Sequence, residues 1–422
     1  MIESKFKNNI INFSAILYLS IPLFLITGPF IPDFFLVIIN LNFIFLSYVN
    51  KNFEIFKNKV FLISLLFCLM IILVSIVSFN SSSMQSAGFY FRFILFSMAS
   101  YSLLENRKFI FKYLLYCLVI IYLILFFDSI YQYNFSENII GMKYFNAENF
   151  RVTSFFGDDE ILGSYTARLF PLLFFLVIFY FNKELIKIKI ILNILIVITA
   201  VIIMLSGERT SIALFVLSIL LIFFSSINLS KILIFPIIIS LVVVVSAISV
   251  NDKIKKRLVD TTLKQLGLVS ESERIVIFSE TYEGHYLIAL KMFKEKPLFG
   301  HGAKMFRVYC VKKENFIKDN ACTTHPHNFY AQMLAETGFI GFLFLISIFI
   351  YIFYLFLKNF YYRLRYKTQL ISDLGICLLA SCFITLFPLL PSGNFFNNWL
   401  SIIIYYPLGF LLYIINNKKL YA

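Results

Sequence analysis

Twelve strongly apolar runs, each of a length to cross a bilayer, dominate this chain and leave it few ways to fold. They fall near 10–28, 31–49, 60–79, 86–104, 110–130, 161–181, 188–205, 210–226, 231–250, 328–357, 373–390 and 396–415. A helix needs about 20 residues to cross a hydrocarbon core of about 30 Å. Backbone N–H and C=O groups find no water there, so each run must satisfy its own, and consecutive long runs do so as helices. A soluble fold is excluded by quantity: 60% of the chain is hydrophobic and only 14% charged, against about 25% charged in ordinary soluble domains. The expected fold is therefore all-α, one polytopic transmembrane bundle of about twelve spans over 1–422, with no soluble domain at either end and no internal repeat. The start, MIESKFKNN, leads into the first run without a small-residue cleavage site and reads as an uncleaved span.

Short loops carry the orientation. One set holds Lys51, Lys57 and Lys59; Arg107, Lys108 and Lys112; Lys183, Lys187 and Lys189; Lys231; Lys358, Arg363, Arg365 and Lys367; and Lys418 and Lys419. The alternate set, GPFIP, NSSSMQS, 131–160, SGERT and LPSGN, holds only Lys143, Arg151 and Arg209. Basic loops stay in the cytoplasm, which places both termini there. The stretch 251–326, between the ninth and tenth spans, is basic yet falls outside; loops beyond about 60 residues translocate whatever their charge. A loop this long is a natural place for function and is expected to contain short helices. Its first part, DKIKKRLVDTTLKQLGL, sets Ile254, Leu258 and Leu266 near one helical face, as in a helix lying on the membrane surface or a solvated connector. The net charge of +14 is spread between apolar runs instead of forming one basic stripe, which argues against nucleic acid and for topology plus attraction to anionic lipid or phosphate.

Three polar islands share the outer side. ENFRVTSFFGDDEILGSY holds Arg151, Asp158, Asp159 and Glu160; SGERTS holds Glu208 and Arg209; the long loop holds Arg274 in SERIVIF, then EKPLFGHGAKMF and CTTHPHNFYAQMLAETGFIGF. Arginine at a membrane boundary is costly and usually has a purpose. Its planar fork suits a diphosphate, so Arg209, Arg274 and Arg151 could clamp one without a metal; Arg209 could also be a snorkelling anchor or a partner of Glu208. His327, after a proline and before a long apolar run, can accept a proton near neutral pH or simply cap the helix. His325 stands beside it. Cys310 and Cys322 lack the short knuckle spacing of a structural zinc site, and in an exported loop a disulfide is the simpler outcome. Cys68, Cys117, Cys377 and Cys382 lie in apolar runs and pack as small hydrophobes. No paired-carboxylate spacing, nucleophile elbow or P-loop is present, and FGHGAKMF reads as a tight turn.

In this order the motifs resemble the O-antigen ligase and O-antigen polymerase superfamily of bacterial envelope enzymes. The family's patterns are a basic residue beside Ser and Gly, a P-L-x-G-x-G turn, and H-N-x-x-L-x-x-x-x-E-x-G-x-x-G. They correspond to SGERTS, KPLFGHGAKMF and HNFYAQMLAETGFIGF, with FDSIYQYNF and FRVTSFFGDDEILGSY similar to the outer loop between the fifth and sixth spans. Tyr330 and Ala331 depart from the usual aliphatic neighbourhood, with Met333 and Leu334 just beyond. The likeness covers about 126–342.

The resemblance implies an enzyme of the bacterial inner membrane with a periplasmic active site and no cofactor. It would take a glycan from undecaprenyl diphosphate and pass it to lipid A–core (a ligase) or to another lipid-linked repeat (a polymerase). His327 would be the general base and Arg209 and Arg274 the diphosphate clamp. Arg151, Asn328 and His325 would contact donor or acceptor. The modest loop after the fifth span and the single dominant late loop lean towards ligase; a ligase acting on protein is a third option. A lipid-linked oligosaccharide flippase is the rival of another class, but it would place charges mid-span, and only Arg92 and Arg168 fall within spans.

Overall fold

The computed structural model describes residues 2–143, 151–182, 184–265, 280–317 and 321–421, and these are all-helical. In chain order the helices are α1 (Ile2–Phe24), α2 (Phe30–Val49), α3 (Lys59–Val77), α4 (Ser81–Gly88), α5 (Phe91–Asn106), α6 (Phe109–Phe135), α7 (Leu162–Tyr180), α8 (Leu185–Ser206), α9 (Arg209–Ser225) and α10 (Ile227–Val250). After these come the short α11 (Asp252–Lys255), α12 (Thr261–Gln265), α13 (Glu280–Glu295) and α14 (Phe306–Cys310), then α15 (Phe329–Tyr366), α16 (Asp373–Thr385) and α17 (Asn398–Asn416). Among the described residues ten helical segments are long and apolar enough to span a membrane, and α9 and α16 are shorter apolar helices. With those two, the count meets the twelve apolar runs, and the protein is a multi-pass membrane protein.

The centre of the bundle is α7, buried along nearly its whole length and packed against α6, α8, α9, α16 and α17. Its neighbours tie into it through side-chain hydroxyls: Tyr122 Oη donates to the Thr166 carbonyl at 2.6 Å and Tyr165 Oη to the Pro22 carbonyl at 2.7 Å. By contrast α10 exposes most of its surface, as a lipid-facing helix should. Arg92, one of the two arginines within spans, forks the Asp33 carboxylate with Nε–Oδ1 at 2.8 Å and Nη2–Oδ2 at 3.0 Å. Asn398 of α17 donates to the same carboxylate at 3.0 Å, so the partly buried charge pair joins three helices.

Three sequence expectations need correcting in detail. The run 86–104 lies in one spanning segment, Ser81–Asn106, which is interrupted at Phe89–Tyr90 between α4 and α5. The run 373–390 is helical only to Thr385; Pro388 and Pro391 cannot continue a helix, and the chain turns back into the protein instead. That non-helical stretch is satisfied by α15. Tyr330 Oη donates to the Leu386 carbonyl (2.6 Å), Asn328 Nδ2 to the Pro388 carbonyl (2.7 Å), and Gln332 Oε1 accepts from Phe395 N–H (2.9 Å). Buried irregular backbone persists only when its polar groups find partners in this way. Finally, 328–357 is one helix in the sequence reading but bends at Gly338, whose φ of 67° and ψ of −165° lie outside the helical region.

The bend has a cause. Gly300 and Gly338 let two backbones cross: a Cβ at Gly338 would lie 2.4 Å from Leu298 main-chain atoms and one at Gly300 would lie 2.5 Å from Glu336. Four backbone hydrogen bonds run across the contact, His301 N–H to Ala335, Gly302 N–H to Glu336, Phe339 N–H to Pro297 and Ile340 N–H to Leu298. The PLFGHG segment is thus the tight turn its composition suggested, docked on α15. A small second core of Ile288, Met292, Phe306, Tyr309 and Ala335 fixes α13 and α14 to the same helix.

Candidate functional site

A cavity of about 820 Å3 opens at the end of the bundle formed by the N-termini of α7, α9, α15 and α17. Its wall draws on Arg151 and Glu160 before α7, Ser164 and Arg168 on α7, Glu208 before α9, His325 and His327 before α15, and the Pro391–Leu400 stretch; Tyr282, Lys304 and Arg307 close the outer side. All of these lie on loops, or on the helix ends next to them, that the charge pattern assigns to one side.

Local sequence explains the placement. Gly163, with no Cβ, admits the Glu208 carboxylate against the first turn of α7; a Cβ there would stand 2.5 Å from Ser206 Oγ and 3.1 Å from Glu208 Oε1. Glu208 then accepts from Gly163 N–H (2.6 Å), Ser164 N–H (3.0 Å) and Ser211 Oγ (2.8 Å), a carboxylate at a helix N-terminus where the dipole favours it. Even so, burial pushes Glu208 up to about 7, against the pull of Arg151 and these hydrogen bonds. Arg151 is held by Glu160. The segment that carries it is anchored on α6, where Gln132 Oε1 accepts from Thr153 N–H (3.0 Å) and Ser154 N–H (2.7 Å), the contribution of FDSIYQYNF.

His327 adopts a left-handed φ of 55°, and its carbonyl accepts from Ser392 N–H at 2.9 Å. Its ring packs against three aromatic neighbours, with centroids 4.1 Å from His325, 5.3 Å from His285 and 5.5 Å from Tyr282. Burial, then the neighbouring His285, lowers His327 to about 4, and burial, then His327, lowers His325 to about 3. Both rings are therefore neutral near pH 7. A neutral imidazole can accept a proton, and an anion brought beside it raises its affinity for one. His285 is buried, and its Nδ1 donates to the Ala321 carbonyl at 2.7 Å. Cys310 and Cys322 are joined as a disulfide with Cα atoms 5.3 Å apart. The bridge ties α14 to the segment that leads to His327.

Other expected residues are distributed differently. Asn328 caps α15, accepting from Tyr330 N–H (2.9 Å) and Ala331 N–H (3.1 Å). With its amide also given to Pro388, it serves the helix and the re-entrant stretch and does not line the cavity. Arg209 begins α9 beside the cavity but reaches outward, its Nη1 donating to Thr262 Oγ1 at 3.3 Å. Arg274 and Leu266 lie outside the described residues. The expected basic helix at the start of the long loop is present as α11, a π-helical turn at Lys256–Asp260 and α12, with Ile254 buried and Leu258 packed on the core. From it Arg257 Nε donates to the Gly207 carbonyl at 3.2 Å; burial and the nearby Arg151 and Arg209 lower its pKa. Arg151, Arg209 and Arg257 thus form a cationic group around Gly207.

Sequence reasoning missed Arg257, Tyr282, His285, Lys304, Arg307 and the 391–399 stretch as site residues. The one local signal was the proline-bounded polar break LPSGN; the others come together only through packing. Among the described residues no group of three or more metal-ligating side chains is assembled.

No curated protein sequence matches the chain. A family model described as O-antigen ligase (Wzy_C) matches residues 192–346, which take in Glu208, Arg209, Arg257, His285 and His327. Over those residues the chain is similar to the O-antigen ligase family, which matches the superfamily that its motifs resemble.

Proposed function

We propose that this protein is a glycosyltransferase of the O-antigen ligase type. It moves a glycan from undecaprenyl diphosphate to a hydroxyl of lipid A–core, or of a related acceptor, at the periplasmic face of the inner membrane, with both termini cytoplasmic. The acceptor oxygen attacks the anomeric carbon, the bond from that carbon to the diphosphate oxygen breaks, and undecaprenyl diphosphate leaves with the electron pair. His327 takes the hydroxyl proton. A diphosphate is already a good leaving group, so the protein's tasks are to activate the hydroxyl and to offset the growing negative charge. Arg151, Arg209 and Arg274 are assigned the second task, with Arg257 added to them, and His325 a contact to substrate.

The observation that carries this reading is the neutral His327 on the wall of the same cavity as Arg151, Arg168, Lys304 and Arg307. Donor binding would also poise the base, because two phosphate charges beside a depressed imidazole raise its pKa towards the working range.

The test is deletion of the gene in its host, with complementation by wild type or His327→Ala. Long glycan accumulating on the carrier with bare lipid A–core establishes a ligase. Single repeats on the carrier and a core capped by one repeat establish a polymerase. Normal glycan in both places removes the transfer reading, and restoration by His327→Ala removes the base assignment. In the same assay Arg209→Lys keeps the charge but loses the fork; full activity would make Arg209 an anchor only.

A further inference from the structure

The deepest cation in the cavity is Arg168, on the second turn of the most buried helix. Its side chain is 4% exposed. Nε donates to Ser164 Oγ at 3.2 Å, while Nη1 is buried with no protein partner. Across the same cavity Asn394 is 6% exposed. Its orientation is fixed because Oδ1 accepts from Gln332 Nε2 (3.0 Å) and Phe396 N–H (2.8 Å), and this leaves Nδ2 buried and without a partner. An unpaired buried donor costs about 1–3 kcal/mol, and more when it is charged. A protein holding both of these donors in one cavity is built to receive acceptor atoms there.

Glu208 attracts Arg168 but does not settle its account. That carboxylate already takes two backbone N–H groups and a hydroxyl, and burial raises its pKa to about 7, so only part of it is charged near neutral pH. The surrounding field also favours an anion: the N-termini of α7 and α17 point at the cavity, the second capped by Asn397, and helix N-termini attract negative charge.

We propose that Arg168 and Asn394 form an oxyanion subsite on the membrane-side floor of the cavity, beneath the outer arginines, that takes a phosphoryl or carboxylate group of a substrate. The proposal rests on the transfer reading only in assigning the ligand to a substrate. A phosphoryl group would come from the lipid carrier and a carboxylate from an acidic sugar of the glycan.

The chain's one tryptophan, Trp399, lines this cavity and reports its occupancy. Purified full-length protein in nanodiscs is titrated with inorganic pyrophosphate, with undecaprenyl monophosphate included in the disc, and with glucuronate, while Trp399 emission is followed. A saturable response to either phosphoryl compound assigns the floor to the carrier; a response to glucuronate alone assigns it to the glycan. In both cases Arg168→Gln is expected to weaken binding at least about tenfold, and Arg168→Lys, which keeps charge without the fork, to weaken it less. If Arg168→Gln does not fold, Arg168→Gln with Glu208→Gln removes both charges together, and the same weakening is expected. Affinities within threefold of wild type in a folded Arg168 variant, or no saturable response to any of the three compounds, overturn the subsite. Because binding is read without turnover, Arg168-dependent binding in a protein that transfers no glycan would sink the transfer reading and leave the subsite standing.

Discussion

Replacing Glu336 by Gln tests the link between the two glycine-bearing motifs. Glu336 is fully buried. Its Oε1 accepts from Phe306 N–H at 3.0 Å, and its Oε2 accepts from Lys304 N–H at 3.0 Å and from Gln332 Nε2 at 2.8 Å. A glutamine must turn its NH2 towards one of these positions. At the Oε2 position it would face two donors, so the relaxed variant places it against Phe306 N–H. One hydrogen bond to a charged acceptor is then lost, about 1.5–3 kcal/mol, and a buried donor is left facing a donor, about 1–3 kcal/mol. Allowing for partial relaxation, we expect the turn to open more easily by about 2–4 kcal/mol. Hydrogen exchange followed by mass spectrometry on peptides spanning 297–310, in nanodiscs, reads this directly. Exchange through local opening should accelerate roughly thirtyfold to several hundredfold. On the proposed function, glycan transfer should fall with it, since Lys304 and Arg307 line the cavity. Less than a threefold change in exchange at Lys304 and Phe306 would refute the claim that Glu336 holds the two motifs together.

Two further outcomes are expected. His327 sits at about 4 in the folded protein, below the ordinary histidine value of 6.5, so the base-competent neutral form is lost only as pH falls through about 4; kcat/KM for the donor, which reports the free enzyme, should hold its plateau well below pH 6.5. An acid limb that stays near 6.5 after Glu208→Gln, which removes the neighbouring carboxyl's own titration, would refute the depression. Breaking the Cys310–Cys322 bridge, with a sequence separation of 12, should destabilise the loop by about 3 kcal/mol in the chain-entropy model; trypsin should cut the loop faster in the Cys310→Ser, Cys322→Ser protein or under dithiothreitol, and an unchanged cleavage rate would show that the small core around Met292 and Phe306 suffices.

The site was legible in part. His327, His325 and Arg151 were singled out by residue type and position, and the structure brings all three to one cavity. Asn328 stood in the same motif, yet its short side chain at a helix start is better placed to cap than to reach outward. Arg168 was visible only as a charge within a span; its meaning depends on Ser164, Glu208 and Asn394, which come from three separate parts of the chain. His285 and Tyr282 carried no signal because nothing in their local sequence shows that α13 packs against the His327 segment.

What the sequence determined by itself is what depends on local properties. Spans follow from runs of apolar residues because the bilayer leaves the backbone no other partner, and sidedness is expected from lysine and arginine in short loops. The disulfide was expected from two cysteines in one long polar segment that the charge pattern places outside, and the structure joins them. What only the tertiary structure decided is what depends on side chains meeting from distant positions. The turn at 297–302 requires Gly338 to let two backbones touch; the helix that starts at Asp373 stops at Thr385 because Asn328, Tyr330 and Gln332 can satisfy the chain beyond it. The cavity itself exists because the N-termini of α7, α9, α15 and α17 meet at one end of the bundle. Local sequence sets which segments enter the membrane, but hydrogen bonds and close packing between segments set which ends face one another, and the chemistry is carried by those ends.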